Sequence, residues 1–177
     1  MVRLFVAVDI PETLKTKIVS LEKRFEEPGL GVVAPQNLHI TLQFLGEVSG
    51  DRTPQIAEAL KTVKMNPFAV NISGVGVFPS DDYIRVVWLG CDGPLPELAS
   101  KVQACLHPLA FMPDKPFASH LTIARIKFKT KNLRDNLVNL QNAVVGKMTV
   151  DKFSLKKSTL TPGGPIYEDV AVFELSG

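Results

Sequence analysis

Two stretches, Leu38-His39-Ile40-Thr41-Leu42 and Ser119-His120-Leu121-Thr122-Ile123, carry one pattern: histidine, apolar residue, threonine, apolar residue. Polar and apolar side chains alternate in each. Each therefore reads as a β-strand with histidine and threonine on one face and the apolar pair on the other. Two of the chain's three histidines thus share one strand context, at positions 39 and 120. A single His-x-Thr on a strand is ordinarily a half-buried histidine bonded to a neighbour. Its recurrence points instead to two related halves, each contributing one imidazole.

The text around these strands supports an α+β fold. Residues 2–9 (VRLFVAVD) are apolar on both faces, which predicts a strand buried on both sides, central in a sheet. Pro11 suits a helix start, and Leu14, Ile18, Leu21 and Phe25 recur at helical spacing up to the EEPGLG breaker. A strand over Leu38–Leu45 closes at Gly46, and a helix is expected over 52–65, with Ile56, Leu60 and Val63 inward. Strands near 68–77 and 84–90 flank a turn at Pro79-Ser-Asp-Asp. The second half repeats the rhythm: helix 95–109, strand 118–127, helix 132–142, then strands 146–157 and 166–175 around the turn TPGGP. Helices punctuate pairs of strands, so hairpins and antiparallel or mixed sheets are favoured over a doubly wound parallel sheet. No Gly/Ser linker divides the chain, which reads as one compact unit with two lobes.

Composition narrows the setting. The 177 residues amount to about one domain. Twenty basic residues against eighteen acidic ones leave a formal charge of +2. That is too little for a protein that coats duplex nucleic acid by neutralising many phosphates, though it leaves room for a local anion site. The apolar start ends at Asp9 and Pro11 without a cleavage pattern, and no window approaches about 18 uninterrupted apolar residues. Cys91 and Cys105 form no CxxC and are expected to be buried free thiols of a reducing cytoplasm. With three histidines and no HxH or HExxH, no metal and no cofactor is expected.

Two near-neutral imidazoles on opposite sides of a phosphorus can act as general acid and general base in one in-line displacement. One takes a proton from the attacking water while the other gives one to the leaving oxygen. Thr41 and Thr122 would donate to the non-bridging oxygens. The alternative from another class is a non-catalytic module that uses the site only to hold a phosphate. Two intact proton-transfer groups argue against it, since binding alone requires neither.

The paired H-I-T-L (39–42) and H-L-T-I (120–123) resemble the HxTx motifs of the 2H phosphoesterase superfamily. The blocks RLFVAVDIP (3–11), NLHITLQFLGEV (37–48), RVVWLG (85–90), PFASHLTIAR (116–125) and STLTPGGPIYE (158–168) are similar to the RNA 2′,3′-cyclic phosphodiesterases first called 2′-5′ RNA ligases. The resemblance implies a single bilobal domain over 1–177, with two sheets related by pseudo-twofold symmetry, outer helices and a central cleft bearing one motif on each wall. It implies hydrolysis of 2′,3′-cyclic phosphate ends of RNA, tRNA halves or oligonucleotides among them, to 2′-phosphates, and reverse 2′-5′ ligation. By the same analogy His39 is the proton donor to O3′ and His120 the acceptor from water. The expected enzyme is a cytoplasmic monomer without membrane attachment.

Three further residues enter as substrate contacts through the resemblance. Arg125 closes the second motif, yet strict alternation points it away from His120 unless a bulge re-aims it. Phe44 alternates away from His39 in the same way, toward core packing. The resemblance makes Phe44 and Phe5 base-stacking platforms. Arg85 and Trp88 read as strand and core, His107 as a helix-end cation, and Tyr167 as part of a turn and strand start without chemistry. The run 125–131 (RIKFKTK) reads as a solvated strand edge that could also extend an RNA track.

Overall fold

Val2–Asp9 forms β1, and its five consecutive side chains from Leu4 to Val8 are buried. Burial on both faces requires neighbours on both sides, and the computed structural model, which describes residues 1–177, supplies them. After β1 come helix α1 (Glu12–Glu22), the short strand β2 (Leu30–Val32), β3 (His39–Val48), helix α2 (Thr53–Leu60) and β4 (Phe68–Ser80). Then follow β5 (Tyr83–Asp92), helix α3 (Leu95–Leu106), β6 (His120–Ile126), helix α4 (Leu133–Val138), β7 (Val144–Val150), β8 (Lys152–Thr161) and β9 (Gly164–Glu174). They build two antiparallel sheets, ordered β3-β1-β8-β9 and β2-β6-β5-β4-β7.

The registers make the two sheets counterparts. Asp9 lies opposite His39 and Ala7 opposite Thr41, while Gly90 lies opposite His120 and Trp88 opposite Thr122. So β1 and β3 correspond to β5 and β6, with β8-β9 and β4-β7 as the outer pairs and β2 added beside β6. The halves exchange strands: β4 comes from the first half yet pairs in the second sheet, and β8 and β9 return to the first. Helices cross as well, α1 packing on β6 and β7 and α3 on β3. One apolar core of 38 residues fills the space between sheets and helices. No helix is long and apolar enough to cross a membrane.

Several boundaries differ from the sequence reading, each for a local reason. The expected strand 146–157 is two strands broken at Asp151, because β7 completes one sheet and β8 enters the other. The end of the breaker after α1 runs into β2, which pairs with β6 through a three-residue register too short to show alternation. Helix 52–65 reduces to Thr53–Leu60 after a 3-10 turn, and helix 132–142 to Leu133–Val138. Helix 95–109 ends at Leu106, where Pro108 tightens the chain into a 3-10 turn. Phe25 is fully buried but lies beyond the end of α1. Of the two free thiols, Cys91 is buried and Cys105 half-buried, and burial pushes them up to about 12 and about 11.

Candidate active site

Both motif strands carry a bulge at the same place. In β3, Ala7 pairs with Thr41 and Val6 with Gln43, so Leu42 is extra. In β6, Trp88 pairs with Thr122 and Val87 with Ala124, so Ile123 is extra. The bulged residue and its successor both point into the core: Leu42 and Gln43 in one strand, Ile123 and Ala124 in the other. Alternation then resumes with reversed phase. This returns Phe44 to the face of His39 and Thr41, and Arg125 to the face of His120 and Thr122. Phe44 is 64% exposed, so its expected core packing is corrected. Phe44 and Arg125 are counterparts, each five positions after its histidine.

Each ring Nδ1 meets the carbonyl two residues upstream, His39 at 2.6 Å from Asn37 O and His120 at 2.8 Å from Ala118 O. A carbonyl only accepts, so Nδ1–H donates and Nε2 is left as the atom that can exchange a proton. The Asn37 side chain also donates to Pro165 O at 3.0 Å. That bond ties the turn before β3 to the start of β9, two residues before Tyr167.

The two histidines have different neighbours. The His39 ring lies 5.0 Å from Phe5 and 5.1 Å, edge-on, from Tyr167. Phe5 also touches Tyr167 at 5.0 Å and Phe44 at 6.1 Å. At 2% exposure Phe5 offers no open ring face to a base, so it buttresses His39 and its expected stacking role is corrected. Tyr167 is an addition that sequence reasoning passed over, because its strand lies more than a hundred residues from His39. On the other wall, His120 meets Phe78 edge-on at 5.1 Å, and Phe78 meets Trp88 at 5.2 Å. Trp88 belongs to this face, opposite Thr122, rather than to the core. Arg85 is exposed and lies over Tyr83.

Where the second wall has Phe78 opposite Val86, the first has Lys156 opposite Phe5. Lys156 is 7% exposed, and its ammonium lies 2.6 Å from Asp169 and 3.0 Å from Asp9. Burial works against its charge, and the bonds to the two carboxylates outweigh that, holding its pKa above the ordinary lysine value. The triad joins β1, β8 and β9 beneath the aromatic group.

Proton affinities follow. Burial lowers the His39 pKa, the Asn37 carbonyl and Asp9 oppose the shift, and the Lys156 and Arg125 cations add to it. Tyr167 is raised by burial, with Arg125 opposing. The strands that carry His39 and Arg125, β3 and β6, are in contact across the sheets, and the Arg125 charge is felt at both His39 and Tyr167. No group of three or more His, Cys, Asp or Glu comes together as a metal site. The arrangement thus offers two Nε2 atoms, two threonine hydroxyls and one guanidinium on the corresponding faces of two strands in contact, β3 and β6, with aromatic rings beside the histidines.

A model of the LigT-like phosphoesterase family matches the chain twice, over residues 8–88 and 89–167. The RNA 2′,3′-cyclic phosphodiesterase of Archaeoglobus fulgidus is 43% identical over 175 residues, covering 97% of this chain and 99% of that protein. The protein of the same name from Methanocaldococcus jannaschii is 37% identical over 169 residues, covering 94% and 96%. Among solved structures, a Thermus thermophilus protein superposes with a TM-score of 0.87 at 30% identity, covering 99% of this chain and 98% of that one. Escherichia coli LigT complexed with 3′-AMP superposes at 0.77 with 26% identity and the same coverage.

Proposed function

The chain belongs to the LigT-like phosphoesterase family, and from that membership we propose that it hydrolyses 2′,3′-cyclic phosphate ends of RNA to 2′-phosphates with its two histidines. The observation that carries the reading is the matched pair of imidazoles, each with Nδ1 committed to a backbone carbonyl and Nε2 free. Water attacks phosphorus in line with O3′ and gives a proton to His120 Nε2. The P–O3′ bond breaks, and O3′ takes a proton from His39 Nε2. Turnover leaves His120 protonated and His39 neutral, and exchange with solvent restores the pair. Thr41 and Thr122 donate to the non-bridging oxygens, and Arg125 neutralises their charge. Phe44 offers the exposed ring on which the terminal base stacks.

His39 as donor must be protonated although its surroundings lower its pKa. The anionic phosphate, bound beside Nε2, favours the charged ring and returns the proton when the substrate arrives. With a 5′-hydroxyl in place of water the same forward displacement gives 2′-5′ ligation: the 5′-oxygen loses its proton to His120 and bonds to phosphorus, and O3′ leaves with a proton from His39, tRNA halves being one source of suitable ends. The working form is a single bilobal domain, monomeric and cytoplasmic, one motif per lobe.

The test is hydrolysis of a 2′,3′-cyclic-phosphate oligoribonucleotide in EDTA, with the product phosphate located by phosphorus NMR. Each single variant, His39→Ala or His120→Ala, is expected to lose about 10²–10⁴-fold in kcat. Undiminished turnover in the double variant overturns the proposal, and tight binding without turnover between about pH 5 and 9 favours a non-catalytic RNA-end binder.

A further inference from the structure

The sheet face that carries His120, Thr122 and Arg125 does not end at Arg125. Gly31 of β2 lies directly opposite Arg125, so a side chain at position 31 would project on that same face. There it would meet Lys127: a Cβ on Gly31 would stand 2.5 Å from Lys127 Cε and 3.3 Å from Cδ. The missing side chain lets the Lys127 stem lie flat on the sheet beside Arg125, with its ammonium carried outward. Beyond it, Phe128 is 63% exposed, and Lys129 and Lys131 are exposed as well.

This is not the strand edge expected from the run of lysines. β6 ends at Ile126, and residues 127–131 form a loop held at both ends. Lys127 N and Phe128 N donate to Gly29 O at 2.7 and 3.3 Å, and Lys131 N donates to Glu27 Oε1 at 2.7 Å. Gly29 has φ +96°, and a Cβ there would stand 2.6 Å from Phe128 O, so only glycine permits the approach. Glu27, the carboxylate beside the loop, is occupied by backbone N–H groups of Lys131 and Asn132. An exposed aromatic ring between lysines, on a loop fixed in shape and continuous with Arg125, has the makeup of a single-strand nucleic-acid track.

We propose that Lys127, Phe128 and Lys129 bind the RNA immediately 5′ of the reacting nucleotide, the lysines at its phosphates and the Phe128 ring under a base. The inference rests on the cyclic-phosphate reading and adds to it where the RNA leading up to the reacting end is held. Binding is independent of base identity, because neither ammonium nor ring face reads a base edge.

The experiment compares nucleoside 2′,3′-cyclic monophosphate with a pentaribonucleotide ending in a 2′,3′-cyclic phosphate, over a series of salt concentrations. The pentamer is expected to show about tenfold or greater advantage in kcat/KM, fading with salt. The double variant Lys127→Ala/Lys129→Ala is expected to erase most of that advantage and flatten the log–log salt slope by about 1.4, as two lost phosphate contacts on a single strand require. Phe128→Ala is expected to lower pentamer turnover by about tenfold. Mononucleotide turnover should change less than about twofold in either variant, by the same contact argument. Anisotropy binding of a labelled pentamer ending in a 2′-phosphate reads the track whether or not turnover occurs. Equal pentamer binding by parent and variants overturns the inference. Absence of turnover on both substrates by the parent overturns the catalytic reading alone.

Discussion

At the residue scale, the two histidines are twins in backbone geometry and differ in surroundings. His39 is enclosed by Phe5 and Tyr167 and lies near the Lys156 and Arg125 cations. His120 meets one ring, Phe78. With a folded pKa below the ordinary 6.5, His39 binds fewer protons in the folded chain than in the unfolded one across the interval between the two values. Stability therefore falls as pH drops through that interval and stays down below it. In a two-dimensional proton–nitrogen NMR titration, His39 is expected to reach its midpoint below 6.5 in the free protein. Inorganic phosphate should shift that midpoint upward. A midpoint at or above the ordinary value, unmoved by phosphate, contradicts both the enclosure argument and the substrate-returned proton. Histidine and threonine identities and their shared face were legible because two residues of alternation suffice to orient them. The ring partners were not, since Tyr167, Phe78 and Lys156 arrive on strands distant in sequence.

At the element scale, the bulges decide what faces the substrate. Period-2 reasoning reaches Thr41 and Thr122 correctly and fails one residue later, because Leu42 and Ile123 are extra in their ladders. In β6 the apolar doublet Ile123-Ala124 before Arg125 is a local break in alternation that hints at its bulge, whereas Leu42-Gln43-Phe44 goes on alternating in type, so the bulge of β3 leaves no trace in the sequence. A second device lies between β4 and β5. Gly76 is opposite Trp88, and a Cβ at position 76 would overlap the indole at Cζ2 and Cη2 and stand 2.7 Å from Cε2. The glycine lets the ring lie across the neighbouring strand, where it supports Phe78 behind His120. Gly76→Ala is therefore expected to displace the indole and cost about 1–3 kcal/mol, as overpacking does. Trp88 is the chain's one tryptophan, so its emission reports the displacement directly. An unchanged emission spectrum and denaturation midpoint would show that the close approach has no structural consequence.

At the scale of the whole molecule, strand exchange binds the halves into one structure. The strands that bear His39 cannot complete their sheet without β8 and β9, and those that bear His120 need β4 from the first half. The sequence reading of two lobes rests on the pairing of motifs, but a cut between halves would not separate the sheets. Long-range pairing of this kind leaves no local pattern. It also makes local charge a global matter. Glu22, at the end of α1, is 4% exposed with Oε1 unpartnered, and burial, aided by Glu26, raises its pKa from 4.5 to about 8. The folded chain then holds one proton more than the unfolded chain between those values, so stability declines as pH rises through them and levels off above. Glu22→Gln should match the parent near pH 4 and exceed it near pH 9, by at most about 5 kcal/mol.

The shared core makes a sharper demand on unfolding. Its 38 residues include side chains of both sheets and of the helices that cross between them, so neither half retains a closed core when the other opens. Thermal or urea unfolding is expected to be a single transition, with Trp88 emission from one sheet coinciding with far-ultraviolet dichroism from the whole. Fragments 1–65 and 66–177 separate β1 and β3 from β8 and β9 and should show no cooperative transition alone. On mixing they should regain one, and with it whatever activity requires both histidines. A cooperative transition in fragment 1–65 by itself would mean that β1 and β3 hold their helices without the returned strands, and the exchanged sheets would then be independent folding units.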